Sequence, residues 1–180
     1  MDDACYRLPV VRGRKNPGYL RFASRLRKAI QQASQSQTAP ASRSTLAGWE
    51  QGQRIPRLDA VERVSYALGL SPAFLAYGIE VEASQPTEGL RCEGVASRLR
   101  QTRTARGLSV VALATAAGLS HSAVRSTETE ASMPSIATVE ALAVALGVSP
   151  AWLAYGLGPM ELPSRRRKAA TPEPDHDLTA

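Results

Sequence analysis

A near-duplicate octapeptide constrains this 180-residue chain more than any other feature of its sequence. It reads SPAFLAYG at residues 71–78 and SPAWLAYG at residues 149–156. The strings FASRLR at 22–27 and VASRLR at 95–100 precede the two copies in the same order. The two octapeptides begin 78 residues apart. Because this repeat length exceeds the roughly 20 to 50 residues of stacked solenoid repeats, it predicts two tandem domains.

The domain boundaries follow from the repeat and from local composition. Each copy spans about 60 residues, a size at which independent folding is marginal, so the two copies can need each other. The first residues show no sustained period, and a basic run at 165–168 is followed by acids and prolines. We therefore predict a flexible arm at 1–18, a first domain at 19–79, a linker at 80–90, a second domain at 91–160 and a disordered tail at 161–180.

Charge and cysteine content narrow the class of protein. The formal net charge is +6, and the excess lies in the first copy, where residues 11–80 hold eleven Lys or Arg against four Asp or Glu. This favours polyanionic partners, although basic charge alone is weak evidence. Cys5 and Cys92 are too few for a disulfide framework, and no signal peptide or membrane span is evident. We predict a soluble, cytoplasmic protein.

Signatures of catalysis or cofactor binding are lacking in the sequence. There is no phosphate-binding glycine loop and no spaced set of nucleophile, base and acid. His121 and His176 form no metal-ligand spacing with the cysteines. We therefore predict no enzyme activity, no metal and no cofactor. Once two small domains are accounted for, no region remains for a small-molecule effector site.

Apolar spacing and capping residues predict five helices in the second copy. Serine at a helix start and glycine at a helix exit set the limits. The predicted helices are 94–106, 110–117, 121–129, one that carries Val139 to Leu146, and a short one that begins at Pro150. The first copy repeats this plan but lacks five residues between Lys28 and Ala41, where Pro40 disfavours a helix. We predict a shortened or irregular second helix there.

Several motifs of the two copies resemble the Cro and phage-repressor type helix-turn-helix family, also called the xenobiotic-response-element family of bacterial transcription regulators. The resemblance rests on GLSHSAVRSTE at 118–128, SRSTLAGWEQGQRIP at 42–56, and the terminal FLAYG and WLAYG strings. It implies an all-α fold of two tandem five-helix lambda-repressor-like domains. It also implies double-stranded DNA as the partner, with the third helix of each domain in the major groove.

In the first copy the predicted outward positions of the third helix are Ser42, Arg43, Ser44, Thr45, Ala47 and Gly48. All of these except Gly48 are predicted to contact DNA, together with Gln53, Arg54 and Arg57 after the helix. Arg43 is the lead base reader, because an arginine there could grip guanine with two hydrogen bonds. Arg54 corresponds to a basic phosphate contact of the family. Leu46 and Trp49 are predicted to face the core, and we expect Trp49, Phe74 and Trp152 to pack there rather than stack on bases.

The second copy offers a thinner surface at the corresponding positions, Ser120, His121, Ser122, Ala123, Arg125 and Ser126. Glu130 stands where the first copy has Gly52, and no arginine matches Arg54. The resemblance also implies a partly buried ion pair between Arg103 and Glu128. In the first copy Ile30 replaces that arginine, so Glu50 must find another partner or remain solvated.

The function predicted from these features is a sequence-specific DNA-binding transcriptional regulator of bacterial, phage or mobile-element origin, with repression as the expected action. It would bind as a homodimer or as an intrachain pseudo-dimer. The alternative is a protein-interaction module, such as an antitoxin or an anti-activator. Glu130 motivates that alternative, as do Val110 and Val111, which stand where the family offers polar contacts to the DNA backbone.

Overall fold

A computed structural model of the chain describes residues 17–32, 41–81 and 89–161. Within these ranges the fold is all-α, as predicted, with two isolated β-bridges and no longer strand. We call residues 17–81 the first segment; its described helices are α1 Pro17–Gln32, α2 Arg43–Glu50, α3 Leu58–Ala67 and α4 Pro72–Tyr77. We call residues 89–161 the second segment; it contains the 3-10 turn Arg91–Gly94 and the helices α5 Val95–Ala105, α6 Val110–Ala117, α7 His121–Glu128, α8 Ile136–Leu146 and α9 Pro150–Tyr155.

Serine caps and glycine exits limit the helices of the second segment. The Ser109 hydroxyl accepts the Ala112 N–H at 3.0 Å at the start of α6. Gly118 ends that helix with a φ of 63°, a left-handed conformation that costs glycine little. The helix beyond the turn begins after Ser120, whose hydroxyl accepts the Ala123 N–H at 3.2 Å. The α6–turn–α7 unit therefore lies where the sequence predicts it.

The first helix of the second segment, predicted over 94–106, is confirmed as α5 Val95–Ala105. A 3-10 turn, Arg91–Gly94, which was not predicted, precedes it. The carboxylate of Glu62 in α3 accepts the N–H of Arg91 at 2.7 Å and that of Cys92 at 2.9 Å, which holds the turn in place. Because this contact joins residues about 30 positions apart, helical periodicity could not reveal it.

Some predictions concern residues outside the described ranges. The shortened or irregular helix of the first copy falls mainly on 33–40, although α1 runs on to Gln32. The N-terminal arm up to residue 16, the linker at 82–88 and the tail from residue 162 also lie outside. These predictions stay predictions.

The two segments share one continuous apolar core. Phe22 of α1 meets Trp49 of α2 edge to face, with ring centroids 6.5 Å apart. Tyr155 of α9 is only 1% exposed and fills the junction between the segments. Trp152, by contrast, packs at the edge of the core, and Phe74 is only partly buried. Packing of Trp49 agrees with its predicted core position.

The two duplicated strings contact each other within each segment. Arg25 of the first SRLR string donates from Nε to the Leu75 carbonyl at 3.0 Å and from Nη2 to the Ala76 carbonyl at 2.6 Å. Arg98 of the second string donates to the Leu153 and Ala154 carbonyls at 2.9 and 2.7 Å. The last carbonyls of a helix lack partners within the helix, so each guanidinium closes the end of a LAYG helix.

No helix in the described parts of the chain is both long and apolar enough to cross a membrane. Across the same ranges, no group of three or more histidine, cysteine, aspartate or glutamate side chains is placed to hold a metal ion.

Candidate nucleic-acid interface

The candidate reading helix of the first segment is α2, which carries its polar side chains at the N-terminal end. The Ser42 hydroxyl accepts the Thr45 N–H at 3.2 Å and lies 3.1 Å from the Ser44 hydroxyl. Ser42, Arg43 and Ser44 are exposed, whereas Thr45 and Ala47 are half-exposed. Burial of Trp49 on the opposite side fixes the rotation of the helix, so the cap and Arg43 stand towards solvent.

Gly48 is buried, so its predicted place on the reading surface is wrong. The aliphatic stem of Arg54 covers it, and a Cβ added to Gly48 would lie 3.4 Å from Arg54 Cδ. The Gly48 carbonyl accepts the N–H groups of Gln53 at 2.9 Å and of Arg54 at 3.2 Å. The chain after α2 thus folds back onto the helix, and this brings the exposed Arg54 to the side of the reading helix.

The other two candidates after α2 are also exposed but have local partners. Gln53 donates from Nε2 to the Gln51 side chain at 2.7 Å. Arg57 Nε lies 3.6 Å from the Asp59 carboxylate, and the Arg57 side chain remains 59% exposed. Asp59 therefore offsets part of the Arg57 charge, whereas Arg43 and Arg54 have no ion-pair partner within the described ranges.

The second candidate reading helix, α7, presents a different set of side chains. His121, Ser122 and Arg125 are exposed with the cap Ser120, whereas Ala123 and Ser126 are half-exposed. The Ser126 hydroxyl donates to the Ser122 carbonyl at 2.7 Å, so it is engaged with its own helix. Arg125 is the only Lys or Arg within α7.

The loop after α7 carries backbone strain. Glu130 has a φ of 59° and is the sole non-glycine residue with positive φ within the described ranges. The aligned residue of the first segment is Gly52, whose φ is 67°. Left-handed backbone costs an ordinary residue about 1–2 kcal/mol. Glu130 is exposed and brings a negative charge to the loop.

The outer side of α6 is mostly apolar. Val111 is 61% exposed, and Ala112, Thr115 and Ala116 are also exposed. A helix that lies across a phosphate backbone normally offers polar side chains or N–H groups to it. On this side of α6, Thr115 is the one exposed polar side chain within the helix that can make such a contact.

Arg103 and Glu128, the residues of the expected ion pair, are in direct contact. Arg103 Nε donates to Glu128 Oε1 at 2.6 Å, and Nη2 donates to Oε2 at 3.0 Å. The two side chains are 13% and 8% exposed. The hydrogen bond to Glu128 is the main cause that raises the pKa of Arg103. This bidentate contact ties the end of α7 to α5.

The first segment replaces that contact with a half-buried Ile30. Within the described ranges no ion pair involves Glu50, and the contact it receives is to its backbone. Arg27 donates from Nη2 to the Glu50 carbonyl at 3.0 Å. Arg100 makes the same contact with the Glu128 carbonyl. These two arginines support the reading helices and were missed from the sequence, although the duplicated SRLR string was the available signal.

Comparison with known proteins bears on the second segment. Neither a curated protein nor a solved structure matches the chain. Residues 95–155, from the start of α5 to the end of α9, match a family model described as a helix-turn-helix domain. That range contains α6, the turn at Gly118, α7 and the contact between Arg103 and Glu128. The part of the chain that holds the second reading helix is thus similar to the helix-turn-helix domain family.

Proposed function

We propose that this protein is a sequence-specific DNA-binding transcriptional regulator and that it acts as a repressor. The family match over residues 95–155 carries the proposal, because it coincides with an α6–turn–α7 unit that has an exposed polar second helix. A helix of this kind fits the major groove with its N-terminal residues at the base edges. Repression would follow from the covering of promoter DNA, and an origin in a bacterium, a phage or a mobile element fits this role.

The first segment supplies the stronger reading surface in this proposal. Arg43 stands exposed in the first turn of α2, beside the hydroxyls of Ser42 and Ser44. From that place its guanidinium can donate two hydrogen bonds to guanine O6 and N7, a contact worth about 1–3 kcal/mol of discrimination. Arg54, held against Gly48, would contact a phosphate and fix the register.

The second segment would contribute weaker contacts. His121, Ser122 and Arg125 can reach base edges or phosphates from α7. Glu130 would repel a phosphate placed where Arg54 attracts one in the first segment. We assign the protein no catalytic step and no cofactor, and we place its action in the cytoplasm, with concentration as the means of control.

Fluorescence anisotropy of the full chain on the DNA upstream of its own gene tests this function. Scrambled DNA of the same composition is the control duplex, and salt is varied. We expect preference for the upstream duplex and an affinity that falls steeply with salt. The double variant Arg43→Ala, Arg54→Ala should lose most of that preference. The matched double variant Arg63→Ala, Arg106→Ala, which removes two exposed arginines outside α2 and its loop, should keep it.

Equal and salt-insensitive binding to both duplexes would contradict the proposal. That result would favour the second candidate, a protein-interaction module such as an antitoxin or an anti-activator. The exposed Val111 on α6, 61% exposed and flanked by the exposed Ala112, is the observation that supports it. In that case Val111→Lys should abolish partner binding, whereas Arg43→Ala should leave it unchanged.

A further inference from the structure

Residues 78 positions apart meet across the junction of the two segments. Arg57 and Ser135 form an antiparallel β-bridge. The Leu58 N–H donates to the Pro134 carbonyl at 3.1 Å, and the Ile136 N–H donates to the Pro56 carbonyl at 3.1 Å. Each bond becomes the other when 78 is added to the first-segment residue number and subtracted from the second-segment residue number; 78 is also the offset of the duplicated octapeptide.

Two tyrosines repeat this relation. The Tyr77 and Tyr155 rings, again 78 positions apart, have centroids 6.4 Å apart. The Tyr77 hydroxyl donates to the Ile136 carbonyl at 3.3 Å, and the Tyr155 hydroxyl donates to the Leu58 carbonyl at 3.4 Å. In a two-fold dimer, residue i of one subunit contacts residue j of the other, and residue j of the first contacts residue i of the second; such a contact is called isologous. The two segments make contacts of this kind. The chain thus carries an internal pseudo-dyad between Arg57 and Ser135.

This junction is buried and well bonded. Leu58 is 0% exposed, Ile136 is 5% exposed, and Tyr155 is 1% exposed. The buried carboxylate of Glu62 adds hydrogen bonds to the N–H groups of Arg91 and Cys92 across the same junction. The surface by which one segment would pair with a second chain is therefore already occupied by the other segment.

The two candidate reading helices lie at equivalent distances along the chain from the pseudo-dyad. Arg57 follows the last residue of α2 by seven positions, and Ser135 follows the last residue of α7 by the same number. Helices that a dyad relates read two half-sites that run in opposite directions along the duplex, and this is the arrangement expected of α2 and α7. The side chains at equivalent positions differ, however, because Arg43 corresponds to His121, Ala47 to Arg125 and Arg54 to Ser132.

We infer that one chain binds one duplex DNA site whose two half-sites are related by a dyad in position but differ in base sequence. This inference rests on the proposed function. The α2 half takes a guanine-containing half-site through Arg43. The α7 half takes an unlike half-site through His121 and Arg125. A second chain is not needed to complete the site.

Selection from a random duplex library with the full-length protein tests the inference, followed by native mass spectrometry on the recovered duplex. We expect a motif with two unlike halves and one chain per duplex. Arg43→Ala should relax base preference by about tenfold in one half only, and Arg125→Ala should relax it in the other half only. Arg106→Ala, an equal loss of exposed charge outside both reading helices, should change neither half.

Several results would overturn the inference and leave the proposed function standing. These are a palindromic motif, two chains per duplex, a motif confined to one half-site, or an Arg43→Ala variant that relaxes both halves, as a homodimer requires. Failure of any duplex to enrich over the starting library would instead overturn the proposed function, and the inference with it.

Discussion

The loops that follow the two candidate reading helices have a left-handed residue at the same position but differ in charge. In the first segment Gly52 takes the left-handed conformation without strain, and the chain then lays Arg54 over Gly48. In the second segment Glu130 takes that conformation, and Ser132 stands in the place of the arginine. The bridge between Arg57 and Ser135 anchors the ends of both loops, so the backbone is preserved while the charge of the loop is free to differ.

The contacts that hold the two candidate reading helices against the rest of the fold also differ, and here the second segment has the stronger contact. α7 is tied to α5 by the contact between Arg103 and Glu128, whereas α2 has Ile30 at the corresponding place. The segment with the better-fixed helix thus has the weaker cationic surface. Exchange of residues between equivalent positions separates the two roles.

The largest effect is expected from Arg103→Ile, which places the first segment's residue in the second. Glu128, whose side chain is 8% exposed, would lose its bidentate partner. Loss of one member of a buried pair costs about 3–5 kcal/mol, so the free energy of unfolding in urea should fall by about 3 kcal/mol. Arg103→Ile combined with Glu128→Gln should recover part of it. A loss below about 1 kcal/mol would show that the pair is not a support of this kind.

A smaller effect is expected from exchange of the loop arginine. Arg54→Ser should weaken DNA binding by about tenfold. It should also make the negative slope of log K against log salt shallower by about 0.9, the value for one phosphate contact. Ser132→Arg should make that slope steeper by a similar amount. Anisotropy titrations over a salt series measure both. An unchanged slope in Arg54→Ser would exclude a phosphate contact by that residue.

Glu130→Gly should stabilise the protein by about 1 kcal/mol in urea unfolding, because glycine adopts the left-handed conformation at little cost. Glu130→Gln keeps the strain and removes the charge, so it should leave stability unchanged. Both variants should raise DNA affinity by the same factor if the charge of Glu130 acts on a phosphate. The reciprocal variant Gly52→Gln should be destabilised by about 1 kcal/mol. Equal stability of the two Glu130 variants would contradict the role of strain.

The smallest effect concerns Tyr66, which corresponds to the exposed Val144 of the second segment. Burial, together with its hydrogen bond to Glu62, raises the pKa of Tyr66 from 10.0 to about 12. The folded state therefore holds this proton more tightly than the unfolded state. The stability it contributes is present below pH 10 and is lost as the pH rises towards 12.

Tyr66→Phe should lower the free energy of unfolding below pH 10 by about 1 kcal/mol, the contribution of one hydrogen bond. It should also flatten the decline above that pH. Urea unfolding midpoints on either side of pH 10 measure this. Val144→Ala serves as the control, because that residue carries no titratable group. If the free energy of unfolding of Tyr66→Phe declined above pH 10 as steeply as that of the parent, other groups would cause the decline.

The sequence predicted the features that depend on neighbouring residues alone. Ser109, Gly118 and Ser120 set the limits of α6 and α7, because caps and left-handed exits depend on neighbouring residues alone. The all-α class followed from the helices that apolar spacing and these caps predict and from the family resemblance. The family motif also indicated Arg103 and Glu128, which are 25 positions apart.

Contacts between the segments could not be predicted in this way. The turn Arg91–Gly94 depends on a carboxylate in α3, and the cover over Gly48 depends on how the following loop folds back. The pairing of Tyr77 with Tyr155 depends on the arrangement of the whole molecule. The duplicated strings were visible, but nothing local indicated that Arg25 and Arg98 bind the ends of the LAYG helices.

The bridge between Arg57 and Ser135 also decides which part of the gene can be lost. A stop codon after residue 81 would remove the partner of Leu58 and Tyr77 and leave their apolar surfaces in water. The first segment therefore needs the second to cover these surfaces, whatever affinity α7 itself adds. While Pro134 and Ile136 keep their backbone pairing, substitutions at the exposed positions of α7 should leave the fold intact.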